Sequence, residues 1–127
     1  MPVRYEFHTK KRDDIIVISL SGYFEKTAGA QLRGLVQSHL NDGFRLFAFD
    51  CMKLNTINSL GITTLLDLAV FLVEECQGRL VLFGLSPDKT RVMNLAGMSL
   101  GASIAITEED ACGILREESS RPGPKSF

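Results

Sequence analysis

The residue types best placed for chemistry gather in one stretch, Asp50-Cys51-Met52-Lys53-Leu54-Asn55-Thr56-Ile57-Asn58-Ser59-Leu60-Gly61. Its small polar side chains Asn55, Thr56, Asn58 and Ser59 converge at a helix start, where free backbone amides and the positive end of the helix dipole can hold added negative charge. A hydroxyl at that place suits phosphorylation: the phosphate brings about −1.5 to −2 charges at pH 7 and changes the surface without refolding the domain. The same residue types also serve as plain helix caps, with Asn58 or Ser59 in that role.

Other chemistries find little footing. A phosphate-cradling loop needs Gly-x-x-x-x-Gly-Lys-Ser/Thr, or Gly-x-Gly-x-x-Gly between strand and helix, because amides must approach the anion closely; neither occurs. Nucleophilic catalysis needs a base within reach of the nucleophile. His8 falls in an edge strand and His39 near the end of a helix, and both read as solvated surface residues. Asp13-Asp14 reads as a hairpin turn and Glu108-Glu109-Asp110 as a dipole-favoured helix start. Cys51, Cys76 and Cys112 are odd in number, far apart and without Cys-x-x-Cys, which argues against structural zinc. The expectation is a non-enzyme with no metal and no cofactor.

The elements that must position the stretch follow from periodicity. Val3, Tyr5 and Phe7 alternate with polar neighbours as an edge strand, Lys10 to Asp14 turns, and Ile15 to Leu20 has the continuous apolar character of a buried strand. Ala28 to Asn41 is an amphipathic helix with Thr27 as cap and Asp42-Gly43 as stop. Phe44 to Asp50 is a strand, Leu60 to Gln77 a long helix closed by Gly78, and Arg79 to Gly84 a strand. Ser86-Pro87 opens a helix ended by Gly97, Ser103 to Ile106 is a short strand, and Thr107-x-x-Asp110 starts a last helix through about Glu118. Strands alternating with helices of this length require parallel crossovers. The predicted fold is therefore α/β: a mixed sheet of about five strands with an antiparallel edge hairpin and about four helices. The expected division is a domain over 1–118 and a loose tail over 119–127.

Projected at about 100° per residue, the long helix puts Ile62, Leu65, Leu66, Ala69, Val73 and Cys76 on one face, read as the core stripe. Leu60, Thr64, Asp67, Phe71 and Glu75 share the opposite face. Leu60 and Phe71 then point outward among charged neighbours as a protein contact surface would, unless a neighbouring loop covers them.

The composition agrees with one globular domain. A chain of 127 residues, 45% hydrophobic and 23% charged, buries roughly two-thirds of its unfolded surface and is neither disordered nor a disulfide scaffold. With 14 basic and 15 acidic residues, nothing draws it in bulk to nucleic acid or an anionic membrane. Ile62 to Val73, the most apolar stretch, is about half a membrane span and contains Asp67. A cytoplasmic protein with reduced thiols is expected.

Leu20-Ser21-Gly22-Tyr23-Phe24-Glu25, Phe49-Asp50 followed by Asn58-Ser59-Leu60-Gly61, Gly78-Arg79-Leu80, Leu85-Ser86-Pro87 and Leu95-Ala96-Gly97-Met98, in this order and spacing, resemble the STAS domain of anti-sigma factor antagonists. The match runs from about Tyr5 to Leu115. The resemblance implies a module that captures an anti-sigma factor, often a serine kinase, and so frees a sigma factor. It implies phosphorylation at Ser59, reversal by a phosphatase, and partner binding by Glu25. Together with the loop and the outward helix face, the expected partner-binding set is Glu25, Thr56, Asn58, Leu60, Gly61, Thr64, Asp67 and Phe71. Two positions depart from the family pattern: Asn58 stands where an aspartate is usual and Leu60 where a small residue is usual. The alternative expectation is a scaffold or self-assembly module of the same fold, such as a homodimer, in which Ser59 is only a cap.

Overall fold

The hairpin that begins the sheet turns at Asp13-Asp14, with Asp13 in the left-handed region (φ 57°) that aspartate tolerates better than most residues. In the computed structural model, which describes residues 5–98 and 101–120, β1 (Tyr5–Arg12) and β2 (Ile15–Phe24) flank this turn. There follow α1 (Lys26–Asn41), β3 (Leu46–Ile57), α2 (Ser59–Val70) running into a π-helical turn (Phe71–Glu75), β4 (Arg79–Phe83), α3 (Pro87–Leu95), β5 (Ser103–Ala105) and α4 (Glu108–Ser120). The sheet order is β1-β2-β3-β4-β5, antiparallel between β1 and β2 and parallel thereafter. The architecture is the α/β mixed sheet expected from the sequence. Val3 of the expected first strand and residues 121–127 of the expected tail lie outside the described residues.

Alternation along the strands sorts the core into two layers. Ile16, Ile18 and Leu20 of β2, Phe47 and Phe49 of β3, and Leu80 and Leu82 of β4 pack against Leu32 and Val36 of α1 and Leu65, Leu68 and Leu72 of the α2 rod. On the other face Ile15, Val17, Leu46, Ala48, Val81 and Phe83 meet Ala111, Cys112 and Leu115 of α4. The two layers explain why β2 to β4 read as continuous apolar runs: both faces are covered. The α4 layer is also tied to the hairpin by charge. Arg12 donates to Glu108 (2.7 Å) and Glu109 (3.2 Å), Lys10 Nζ lies 3.1 Å from Glu108, and Arg116 donates to Asp13 (3.1 Å). The Arg12 and Lys10 bonds hold the Glu108 carboxyl below the usual glutamate range, outweighing its partial burial, which pushes the other way.

Several local expectations are corrected. Helix α1 starts at Lys26 and is capped by Glu25, whose Oε1 accepts from the Ala28 amide (3.1 Å), so Thr27 lies inside it. Strand β3 does not stop at Asp50 but continues to Ile57, because two bulges let its polar second half stay paired with β2: Ser19 and Ser21 oppose Asp50 and Lys53, and Gly22 and Tyr23 oppose Leu54 and Thr56. The buried stripe of the α2 rod is Gly61, Leu65, Leu68, Ala69 and Leu72. It is rotated from the projected one, and Ile62, Leu66, Val73 and Cys76 are only half-buried. His39 is not a solvated surface residue. It is half-buried edge-on to Phe44, and its Nδ1 is buried.

Candidate functional site

The paired outer ends of β2 and β3 deliver the chain to the start of α2. The Asn58 amide donates to the Phe24 carbonyl (3.2 Å), extending the β2–β3 pairing to the helix boundary. Asn58, extended at φ −94° and ψ 175°, is the N-cap, and its Oδ1 accepts from the Gly61 amide at 2.8 Å. Its Nδ2 donates to the Tyr23 hydroxyl at 3.1 Å. Both halves of one amide are thus engaged, one by the helix and one by the strand. That fixes the cap, and Ser59 is the first helical residue rather than the cap.

Ser59 is exposed at the helix start, and Leu60 beside it is 57% exposed. Behind them Gly61 is buried: a Cβ there would stand 2.5 Å from the Phe24 carbonyl oxygen, so only glycine lets the helix end sit this close to β2. A side chain on Gly29 of α1 would likewise collide with the Thr64 methyl, so the starts of α1 and α2 lie against one another. The Thr63 and Thr64 hydroxyls donate back to the Ser59 (3.0 Å) and Leu60 (2.8 Å) carbonyls, spending their protons inside the helix.

The expected residues therefore divide into two groups. Thr56 of β3, opposite Tyr23 of β2, joins Asn58, Ser59, Leu60 and Gly61 at one end of the sheet, and Glu25, the cap of α1, directly follows Phe24, the residue that Asn58 and Gly61 touch. Thr64 is half-buried against α1, and Asp67 is exposed on the outer side of the helix. Phe71 departs from the projection. It is half-buried, packs on the α1–α2 core, and carries the Arg33 guanidinium 4.3 Å from its ring centroid, so helix α1 covers it rather than a loop. Of the two apolar residues expected to face outward, Leu60 does and Phe71 does not. Tyr23, Gly29 and Arg33 were missed as positioning residues. Their partners lie far away in sequence, and only the run Gly22-Tyr23-Phe24-Glu25 hinted at one of them.

The chemistry open to this site is limited. Cys51, the nearest thiol in sequence, is buried, which together with the Asp50 charge pushes it up to about 12, far from thiolate reactivity. What remains is an exposed hydroxyl at a helix N-terminus whose first turn holds no acidic residue, flanked by an exposed leucine. Among the described residues no helix is long and apolar enough to cross a membrane.

Solved structures share the fold. An anti-sigma factor antagonist from Mycobacterium paratuberculosis is 20% identical, with a TM-score of 0.74, over 88% of this chain and 94% of that one. The Bacillus cell fate determinant SpoIIAA in its phosphorylated form is 24% identical, with a TM-score of 0.65, over 87% and 100%. RsbS from Moorella thermoacetica is 15% identical, with a TM-score of 0.73, over 91% and 98%. No curated protein sequence matches. Residues 6–111 match the STAS domain, and with that span, the shared fold and the ordered motifs, the chain belongs to the STAS domain family.

Proposed function

We propose that this protein is an anti-sigma factor antagonist, a non-enzymatic regulator of the cytoplasm that binds an anti-sigma factor with serine kinase activity through the start of α2. Phosphorylation of Ser59 by that kinase ends the complex, and a phosphatase restores it. The observation that carries the reading is the exposed Ser59 at a rigidly seated helix start without a carboxylate in its cap or first turn. A phosphate added there is held by the amides and the dipole, so the fold survives while the docking surface turns strongly negative. Leu60 supplies apolar contact beside the switch, and Glu25, Thr56, Asn58, Gly61, Thr64 and Asp67 shape the surface around it. Phe71 acts from below, through its packing with Arg33. The family likeness of the solved structures agrees with this role.

Asn58 in place of the usual aspartate favours the phosphorylated state. A carboxylate next to a phosphate would repel it, whereas the amide caps the helix without adding charge. The test is incubation with ATP and each histidine-kinase-like anti-sigma protein of the source organism, followed by intact mass. One added phosphate that disappears in Ser59→Ala is expected. Modification elsewhere, or none with any kinase, defeats the switch.

A further inference from the structure

On the sheet face opposite α1 and α2, His8, Ser19, Ser21, Asp50 and Lys53 line a cleft of about 240 Å3 together with Leu20, and its lining includes no residue of α4. In a regular strand Asp50 and Lys53, three positions apart, point to opposite faces. The extra residue that β3 carries between them cancels that opposition: Asp50 lies opposite Ser19, Lys53 opposite Ser21, and Leu54 has turned into the α1–α2 core. Bulges are features that re-aim side chains next to binding sites. Here one delivers a carboxylate and an ammonium from a single strand into a single cleft.

The carboxylate is held in place. Asp50 Oδ1 accepts from the Met52 amide (3.0 Å) and Oδ2 from the Ser19 hydroxyl (3.2 Å). A carboxylate offers about four lone-pair directions, so Asp50, which lines the cleft, keeps two of them unused by these bonds. The Ser21 hydroxyl donates to the Glu6 carbonyl (3.3 Å) and keeps its oxygen as an acceptor. Lys53 is exposed and brings three donors. The charge pattern selects the ligand class. A simple anion drawn to Lys53 also meets Asp50, and a simple cation meets the reverse, whereas a molecule bearing both signs finds a partner at each end. The volume lies just under the roughly 300 Å3 at which pockets for drug-sized ligands begin, which suits a smaller molecule.

We propose that this cleft binds a small zwitterion of the α-amino acid type, its ammonium against Asp50 and its carboxylate against Lys53, with the His8 ring as a further donor. The site lies on the sheet face away from α2, and its occupancy requires neither a kinase nor Ser59. Two-dimensional amide NMR of the full chain, titrated with each of the common L-amino acids, tests it. At least one should give saturable shifts centred on residues 8, 19, 21, 50 and 53. The methyl ester of that amino acid, which keeps only the ammonium, and its N-acetyl form, which keeps only the carboxylate, should each bind at least about tenfold more weakly. Lys53→Met, a substitution at an exposed side chain, and Asp50→Asn should each weaken binding by a similar factor. The proposal is overturned by the absence of saturable shifts with every amino acid up to about 10 mM, by equal binding of the ester or acetyl form, or by unaltered binding to Lys53→Met.

Discussion

Behind the Thr107 cap of α4 the chain places Glu108, Glu109 and Asp110, whereas behind the Asn58 cap of α2 it places Ser59, Leu60 and Gly61 with no acidic residue. The other two helices resemble α4 in this respect: Glu25 itself caps α1, and Asp88 sits in the first turn of α3. At α4 the positive helix end is matched by its own carboxylates, of which Glu108 and Glu109 are in turn engaged by Lys10 and Arg12. That end is committed to holding α4 against the hairpin. At α2 the seat is made by close backbone approach and by one neutral amide, so the positive end stays open to an incoming anion. An electrostatically filled helix start acts as a structural joint, and an empty one keeps its positive end open to an anion.

The contrast can be broken most forcefully at Gly61. Gly61→Ala drives a methyl group toward the Phe24 carbonyl and should cost about 2–3 kcal/mol in a urea titration. Gly113→Ala in α4, where a Cβ meets nothing within 4 Å, should instead stabilise by about 0.5–1 kcal/mol. If both glycines tolerate alanine equally, the close seating of α2 is not real. Asn58→Ala removes the cap and leaves the Tyr23 hydroxyl without its donor, and chemical denaturation should register a loss of about 1–2 kcal/mol. Ser59→Asp introduces charge where α2 has none and should raise stability by about 0.3–1 kcal/mol at low salt, an increment that fades as ionic strength rises. A destabilised Ser59→Asp protein would show that this helix end does not accept charge. The smallest effect belongs to α4. Because the folded-state Glu108 carboxyl is held below its ordinary range, its contribution is present at neutral pH and is lost as the pH falls through that lowered value. Glu108→Gln should flatten this acid limb of a pH–stability profile and leave the slope above the ordinary glutamate range unchanged.

What the sequence made legible was local. Ser86-Pro87, Thr107-x-x-Asp110 and Asp42-Gly43 were readable because a cap or stop is decided within about four residues, and each stands where expected. The mixed sheet with its antiparallel edge hairpin was legible from the alternation of apolar runs with helices, whereas the order of strands within the sheet was not. The second half of β3 was not legible. Met52 to Thr56 is mostly polar and reads as loop, and only pairing with β2 across two bulges makes it strand. Leu54, buried at an even position after odd-numbered Phe47, Phe49 and Cys51, is the visible trace of that shift. The α2 projection failed for a related reason. The buried stripe is set by which neighbours the helix meets, here the close approach at Gly61 and Gly29. Apolar count does not decide it: Ile62 and Leu66 are as greasy as the residues that won. Glu25 displaced Thr27 as cap because β2 extends to Phe24 and leaves the next residue at the helix boundary.

The strand order β1-β2-β3-β4-β5 has a consequence for synthesis. From β2 onward each strand emerging from a ribosome finds a neighbour already made, so no later strand is inserted between two that already pair. Only the β1–β2 hairpin closes a short loop, and each parallel pairing spans a helical crossover. The contacts that seat the start of α2 come from β2 and α1, both of which precede it in the chain, so none of them depends on β4, β5 or α4.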